Sequence, residues 1–152
     1  MNYYSITKND MVNGDGLRVV LWVAGCEHCC KGCQNPETWA YEQGTVLDSE
    51  FEERIFEQIN SNDLLSGVTL SGGDPMYNPE ALLVFLKHLK KRTRANVWCY
   101  TGFVYEKLLK DPIRSKCLKY IDVLVDGPFI ESKRDVNLAF RGSSNQRIIH
   151  LR

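Results

Sequence analysis

Val19-Val20-Leu21-Trp22-Val23-Ala24 is a nearly continuous run of apolar, mostly β-forming residues that leads directly into Gly25 and Cys26. Such a run predicts a β-strand buried on both faces, as the inner strands of a parallel sheet are. The glycine that follows predicts the end of the strand. The residues after Gly25 are therefore expected at the carboxyl end of a buried strand.

Further along the chain, strand patterns alternate with helix patterns. The capping-box pattern Ser49-Glu50-Phe51-Glu52 predicts one helix start, and Asn78 before Pro79 predicts another. Strand–helix alternation is typical of parallel βα units, so we expect an α/β fold with mostly parallel strands. The chain length suits one domain over residues 1–152, forming a partial (βα) barrel. The predicted strands cover residues 19–24, 68–70, 96–100, 121–125 and 147–151. The predicted helices cover residues 49–60 and 104–109 and a segment that starts at Pro79 and continues through Leu89 into the basic residues 87–94.

Composition excludes several classes of partner. The 19 basic residues balance 19 acidic ones, so no net charge favours nucleic-acid binding. The longest apolar runs are far shorter than a membrane span, and Met1-Asn2-Tyr3-Tyr4-Ser5 has neither the basic nor the apolar region of a signal peptide. We expect a cytoplasmic protein that binds neither nucleic acid nor membranes.

Four of the six cysteines lie within eight residues, at Cys26, Cys29, Cys30 and Cys33. In a reducing compartment, clustered thiols are more often metal ligands than disulfide partners. An iron–sulfur cluster normally takes four thiolates, so three at C-x3-C-x2-C spacing would leave one iron open to another molecule. We predict Cys26, Cys30 and Cys33 as ligands. Cys29 is predicted to be a non-ligand, because adjacent thiolates rarely both reach one metal.

A zinc site is the alternative reading of these cysteines. Zinc ribbons use two Cys pairs that are well separated along the chain, and no second, distant pair is present here. His28 lies in the same loop and could bind a metal, although we interpret it as an ordinary loop residue.

Three further motifs follow predicted strands: Gly72-Gly73-Asp74-Pro75, Thr101-Gly102 and Asp126-Gly127. The two glycines let the backbone approach a ligand, and the carboxylate of Asp74 suits an ammonium group. Because the carboxyl ends of parallel strands share one rim, all three motifs are expected beside the cysteine loop. Each also fits an ordinary turn or loop cap, so direct ligand contact is left open for Thr101 and Asp126.

The cysteine loop resembles the signature of the radical S-adenosylmethionine superfamily. The resemblance implies a [4Fe-4S] cluster on the three cysteines, with S-adenosylmethionine bound at the open iron. It implies that Gly72, Gly73 and Asp74 hold the methionyl amino group, with Asp74 in place of the superfamily's glutamate. It also implies backbone contacts to adenine in the stretch Gly32, Cys33 and Gln34, where Gly32 replaces an aromatic residue that many relatives carry.

A closer resemblance, over nearly the whole chain, is to the activating proteins of anaerobic ribonucleoside-triphosphate reductase. It rests on Val12-Asn13-Gly14-Asp15-Gly16-Leu17-Arg18 and on residues 26–35, 98–102, 125–129 and 140–147, with Asp15 where proline is expected. It implies an enzyme that generates a glycyl radical on the large subunit of that reductase. An electron donor such as flavodoxin is also implied, and pairing into a homodimer is left open.

Two other functions are compatible with the same residues. A radical S-adenosylmethionine enzyme with a small-molecule substrate would need a pocket closed by extra residues, and a chain of 152 residues has few to spare. A non-enzymatic module, stabilised by zinc or carrying electrons, would need only the metal site.

Overall fold

A computed structural model describes residues 1–152 and places seven strands in one mixed sheet. The order across the sheet is β3-β1-β2-β4-β5-β6-β7, in which β2, β4, β5 and β6 are parallel to one another and the three outer strands pair antiparallel. The predicted α/β class is confirmed, and the parallel pairs occupy the centre of the sheet. The strands are β1 (Asn2–Asp10), β2 (Leu17–Val23), β3 (Thr45–Val46), β4 (Leu65–Gly72), β5 (Asn96–Tyr100), β6 (Val123–Asp126) and β7 (Arg147–His150).

Four α-helices lie in the connections between the parallel strands. They are α1 (Ser49–Ser61), α2 (Pro79–Arg92), α3 (Tyr105–Lys110) and α4 (Arg114–Leu118), and single 3-10 turns occur at Pro36–Thr38, Tyr41–Gln43, Pro75–Tyr77 and Glu131–Lys133. None of these helices combines the length and the apolar composition that crossing a membrane requires.

The core lies between the helices and one face of the sheet. Alternate residues of β2, namely Val19, Leu21 and Val23, are almost fully buried in this core. Trp22, between them in sequence, faces the other side, because successive side chains of a strand point to opposite faces. On that second face Trp98 packs edge-on against Phe140, with ring centroids 5.1 Å apart. The helices thus cover one face and loops cover the other.

A buried arginine anchors the loop between β1 and β2 on the second face. Arg18 is 1% exposed, and its guanidinium donates to the Thr69 hydroxyl at 2.8 Å and to the carbonyls of Asp15 and Asn96 at 2.8 Å. Burial lowers the pKa of Arg18 to about 10. This network fixes the loop where it can form one wall of a cavity.

The fold contains three elements that the sequence patterns do not predict, β1, β3 and α4, and it caps one helix at a different residue. Strand β1 has no alternating apolar pattern, because it is a partly exposed strand that β2 and β3 hold by backbone pairing. Helix α1 is capped by Asp48, whose side chain accepts the Phe51 amide at 2.8 Å, rather than by Ser49. Both acidic and hydroxyl side chains cap well, so the sequence alone does not distinguish these adjacent positions.

Candidate functional site

The carboxyl ends of the four parallel strands open onto one cavity of about 320 Å³. Trp22 near the end of β2, Gly72 at the end of β4, Tyr100 at the end of β5 and Gly127 after β6 all line it. This is the position at which ligands bind in α/β sheets, and the volume is at the lower end of the roughly 300–1,000 Å³ typical of small-molecule sites. The predicted convergence of the strand-end motifs is therefore what the structure shows.

Three of the four clustered cysteines, Cys26, Cys30 and Cys33, line this cavity. Cys29 is exposed and does not line it, and its left-handed backbone (φ 49°) turns the loop between Cys26 and Cys30. A tight turn, closed by the Cys33 amide on the Cys30 carbonyl at 3.1 Å, brings the third cysteine back to the cavity. The loop thus places three thiols at the cavity and the fourth at the surface.

The protonation of Cys26 follows from its environment. The pKa of Cys26 is raised to about 11, mainly by burial and in smaller part by the nearby Asp74, Cys30 and Cys33, against a backbone hydrogen bond from His28 that lowers it. The metal-free thiol is thus protonated at neutral pH, so metal binding must release its proton.

The thiols do not converge on one point, which is the arrangement that a single metal ion needs. No three His, Cys, Asp or Glu side chains converge closely enough to hold one metal ion. A four-iron cluster puts each thiolate on a different iron, so its ligands lie farther apart than the four around zinc. In addition, the Asn35 amide donates to the Cys33 sulfur at 3.4 Å, the kind of hydrogen bond that tunes iron–sulfur sites.

Gly72 and Gly73 line the cavity, and the fold itself requires a residue without Cβ at both positions. Gly72 has a left-handed φ of 97°, and a Cβ there would lie 2.7 Å from the backbone nitrogen and oxygen of Val23. A Cβ on Gly73 would lie 2.5 Å from the Gly25 carbonyl oxygen. Close packing of β4 on β2 therefore explains these glycines at least as well as approach to a ligand.

Asp74 does not line this cavity, because its side chain turns onto the protein. The carboxylate is 2% exposed and accepts hydrogen bonds from His28 Nε2 at 2.5 Å, the Thr101 hydroxyl at 3.0 Å and the Gly102 amide at 3.0 Å. The hydrogen bond between His28 and Asp74 raises the pKa of His28. Asp74 instead lines a neighbouring cavity, which His28 also lines.

Gly32 and Asp126 also lie outside the lining of the main cavity. Asp126 is 1% exposed, and its carboxylate accepts the Tyr105 amide at 2.8 Å and the Arg147 guanidinium at 2.5 Å and 3.0 Å. The turn at Gly32 faces Phe129 and Glu131. The structure thus differs from the sequence prediction for Gly32, Asp74 and Asp126, because intramolecular contacts occupy two carboxylates and a turn directs the glycine away. Cys33, Gln34, Gly72, Gly73 and Thr101 line the cavity as predicted.

Several lining residues come from segments that carry no ligand motif. Phe129 approaches to 3.4 Å from where a Gly32 Cβ would lie, so it supplies an aromatic group beside the position where Gly32 lacks one. Gln146 also lines the cavity, and its side chain joins the Gly142 amide, at 2.8 Å, to the Gly127 carbonyl, at 3.1 Å. Trp22 and Tyr100 could have been found from strand alternation, because Trp22 lies one residue before the end of β2, Tyr100 ends β5, and both lie opposite the core residues.

Comparison with known proteins agrees with this site. Residues 12–149 match the profile of the 4Fe-4S single cluster domain. Three of the similar proteins are anaerobic ribonucleoside-triphosphate reductase-activating proteins. They come from Haemophilus influenzae (40% identical, covering 99% of this chain and 97% of the relative), Escherichia coli K12 (38%, covering all of both) and Enterobacteria phage T4 (37%, covering 97% and 93%).

The α/β fold, the three-thiol cavity and the profile match together define an iron–sulfur protein with a single 4Fe-4S cluster domain. Within that class, identity of 35–40% along the full length of curated relatives decides the family. The chain belongs to the family of anaerobic ribonucleoside-triphosphate reductase-activating proteins.

Proposed function

We propose that this protein activates anaerobic ribonucleoside-triphosphate reductase by generating a glycyl radical on its large subunit. When bound, a reduced [4Fe-4S] cluster supplies an electron that splits the sulfonium S–C5′ bond of S-adenosylmethionine, giving methionine and a 5′-deoxyadenosyl radical for hydrogen abstraction. The observation that carries the proposal is the convergence of Cys26, Cys30 and Cys33 on one strand-end cavity, with Cys29 turned away. Three protein ligands leave one iron for S-adenosylmethionine.

The cavity walls offer groups for S-adenosylmethionine around these ligands. Backbone groups of Gly72 and Gly73 would bind the methionyl end, and Cys33, Gln34 and Thr101 line the remaining wall. Asp74 supports one of these walls from behind through its hydrogen bond with Thr101. Phe129 adds an apolar surface suited to a nucleobase.

An open side of the sheet supports a protein substrate. The edge strands β3 and β7 pair with one neighbour each and not with one another, so the sheet does not close into a full barrel. We propose that it acts as a partial barrel whose gap admits a loop of the reductase, in the cytoplasm, with an electron donor such as flavodoxin. A small-molecule substrate would favour a closed pocket instead.

The test is anaerobic reconstitution with iron and sulfide, followed by an assay for 5′-deoxyadenosine under strong reduction. We expect four irons per chain, loss of cluster and activity in alanine variants of Cys26, Cys30 and Cys33, and retention of both in Cys29→Ala as the matched control. Zinc without sulfide would support the non-enzymatic alternative. Iron-loaded protein that cleaves no S-adenosylmethionine would overturn the proposal.

Transfer to the partner needs its own measurement. Incubation with purified reductase, S-adenosylmethionine and reductant should produce a glycyl EPR doublet on the reductase. Cleavage of S-adenosylmethionine without this doublet would favour a small-molecule substrate.

A further inference from the structure

His28 connects the cysteine loop to the rest of the rim. It lies midway between Cys26 and Cys30, and its Nε2 is 2.5 Å from the Asp74 carboxylate. An ionised carboxylate only accepts hydrogen bonds, so Nε2 carries the hydrogen and donates it. The sequence pattern gives His28 no role of its own.

Asp74 is the point at which three segments of the rim meet. It ends the stretch that follows β4, and its carboxylate accepts from Thr101 and Gly102 after β5 as well as from His28 in the cysteine loop. Its other oxygen accepts the Met76 amide at 2.9 Å, which fixes the carboxylate in place. Among these bonds, the one from His28 is the side-chain tie between the cysteine loop and the two strand ends.

Packing holds the His28 ring in one orientation. Its ring meets Phe103 edge-on, with centroids 4.6 Å apart, and a Cβ on Gly102 would lie 2.5 Å from the ring. The ring therefore fits only because residue 102 is glycine. These contacts with Phe103 and Gly102 fix the position of the His28 ring, and with it the position of the loop between Cys26 and Cys30.

We propose that His28 is a positioning residue that fixes Cys26 and Cys30 on the rim through its hydrogen bond to Asp74. This rests on the proposed function only in that Cys26, Cys30 and Cys33 hold the cluster. Residues that orient metal ligands in this way typically change metal affinity 10- to 100-fold when removed. The hydrogen bond, rather than the ring, is the feature that matters.

Two substitutions separate the hydrogen bond from the ring. His28→Phe keeps an aromatic ring against Phe103 but has no donor, whereas His28→Gln keeps a donor that can reach Asp74 and has no ring. The matched control is His88→Phe, which removes another His–carboxylate pair, 2.6 Å from Glu52, on the outer face of α2.

The measurement is the rate at which a ferrous chelator removes iron from the anaerobically reconstituted protein, without S-adenosylmethionine, together with the EPR spectrum of the reduced cluster. We expect about 10-fold or faster iron loss in His28→Phe. His28→Gln and His88→Phe should stay within about threefold of the unaltered protein, and His28→Gln should keep the same EPR spectrum.

Equal iron retention in His28→Phe and the unaltered protein would overturn the inference. Iron loss in His28→Gln as fast as in His28→Phe would also overturn it, because it would indicate that the ring, or direct binding of the metal by His28, is what matters. If His28→Phe does not fold, as judged by circular dichroism, His28→Asn replaces it, because the shorter amide does not reach Asp74. It should lose iron as fast as expected for His28→Phe. An unaltered chain that binds no cluster would overturn this inference and the proposed function together. A stable cluster in a variant that lacks the hydrogen bond to Asp74, His28→Phe or His28→Asn, would overturn this inference alone.

Discussion

Gly72 ends the parallel strand β4, and Gly127 directly follows the parallel strand β6. Both glycines have almost the same left-handed torsion, with φ 97° at Gly72 and φ 96° at Gly127. An L-residue in this region costs about 1–2 kcal/mol, so alanine at either position carries that penalty. The surroundings differ. A Cβ on Gly72 would lie 2.7 Å from two backbone atoms of Val23, whereas the nearest atom to a Cβ on Gly127 is the side-chain amide of Asn145 at 3.7 Å.

The collision at Gly72 adds a second penalty. Val23 is the β2 partner of Gly72, and the next amide, Gly73, donates to the Val23 carbonyl at 2.8 Å. Alanine must therefore push β4 away from β2 where both strands end, and overpacking of this kind costs about 1–3 kcal/mol. We expect Gly72→Ala to lower the free energy of unfolding by about 2–5 kcal/mol, and Gly127→Ala by about 1–2 kcal/mol.

Urea denaturation of the metal-free protein, followed by circular dichroism under reducing conditions, measures both values. Alanine also restricts the unfolded chain, but this effect is the same in the two variants and cancels in their difference. Equal losses, within about 0.5 kcal/mol, would refute the claim that contact with Val23 is what excludes a side chain from Gly72.

Three further predictions concern other parts of the fold. Arg18→Met should lower the free energy of unfolding by about 3–5 kcal/mol in urea denaturation, because it leaves buried carbonyls without their donors. Arg147→Gln should lower it by about 1–2 kcal/mol, since Asp126 stays buried while solvent already reaches half of the guanidinium; an equal effect of Arg147→Gln in an Asp126→Asn background would contradict this pairing. Asp48→Ala should lower the free energy of unfolding in urea denaturation by about 1 kcal/mol, and Ser49→Ala by clearly less, because Asp48 caps α1. The reverse order would place the cap at Ser49.

Much of the architecture follows from local patterns. The apolar run before Gly25 forms the buried strand β2, and Asn78 with Pro79 starts α2 as predicted. Both patterns work because burial and capping depend on residues close together in sequence. Strand β1 escaped prediction for the opposite reason: its pairing with β2 and β3 depends on backbone contacts with distant residues, not on its own side chains.

The sequence by itself determined the class of site, because thiol spacing within a short loop limits which cysteines can share a cluster. Cys26, Cys30 and Cys33, which line the cavity, and the exposed Cys29 all belong to that loop. Only the tertiary structure decided where the acidic side chains point. Asp74 binds His28 and Thr101, and Asp126 binds Arg147, because partners from 21 to 46 residues away in sequence arrive at the same strand ends. Such contacts form only when the sheet brings separate strand ends together, so no local pattern encodes them.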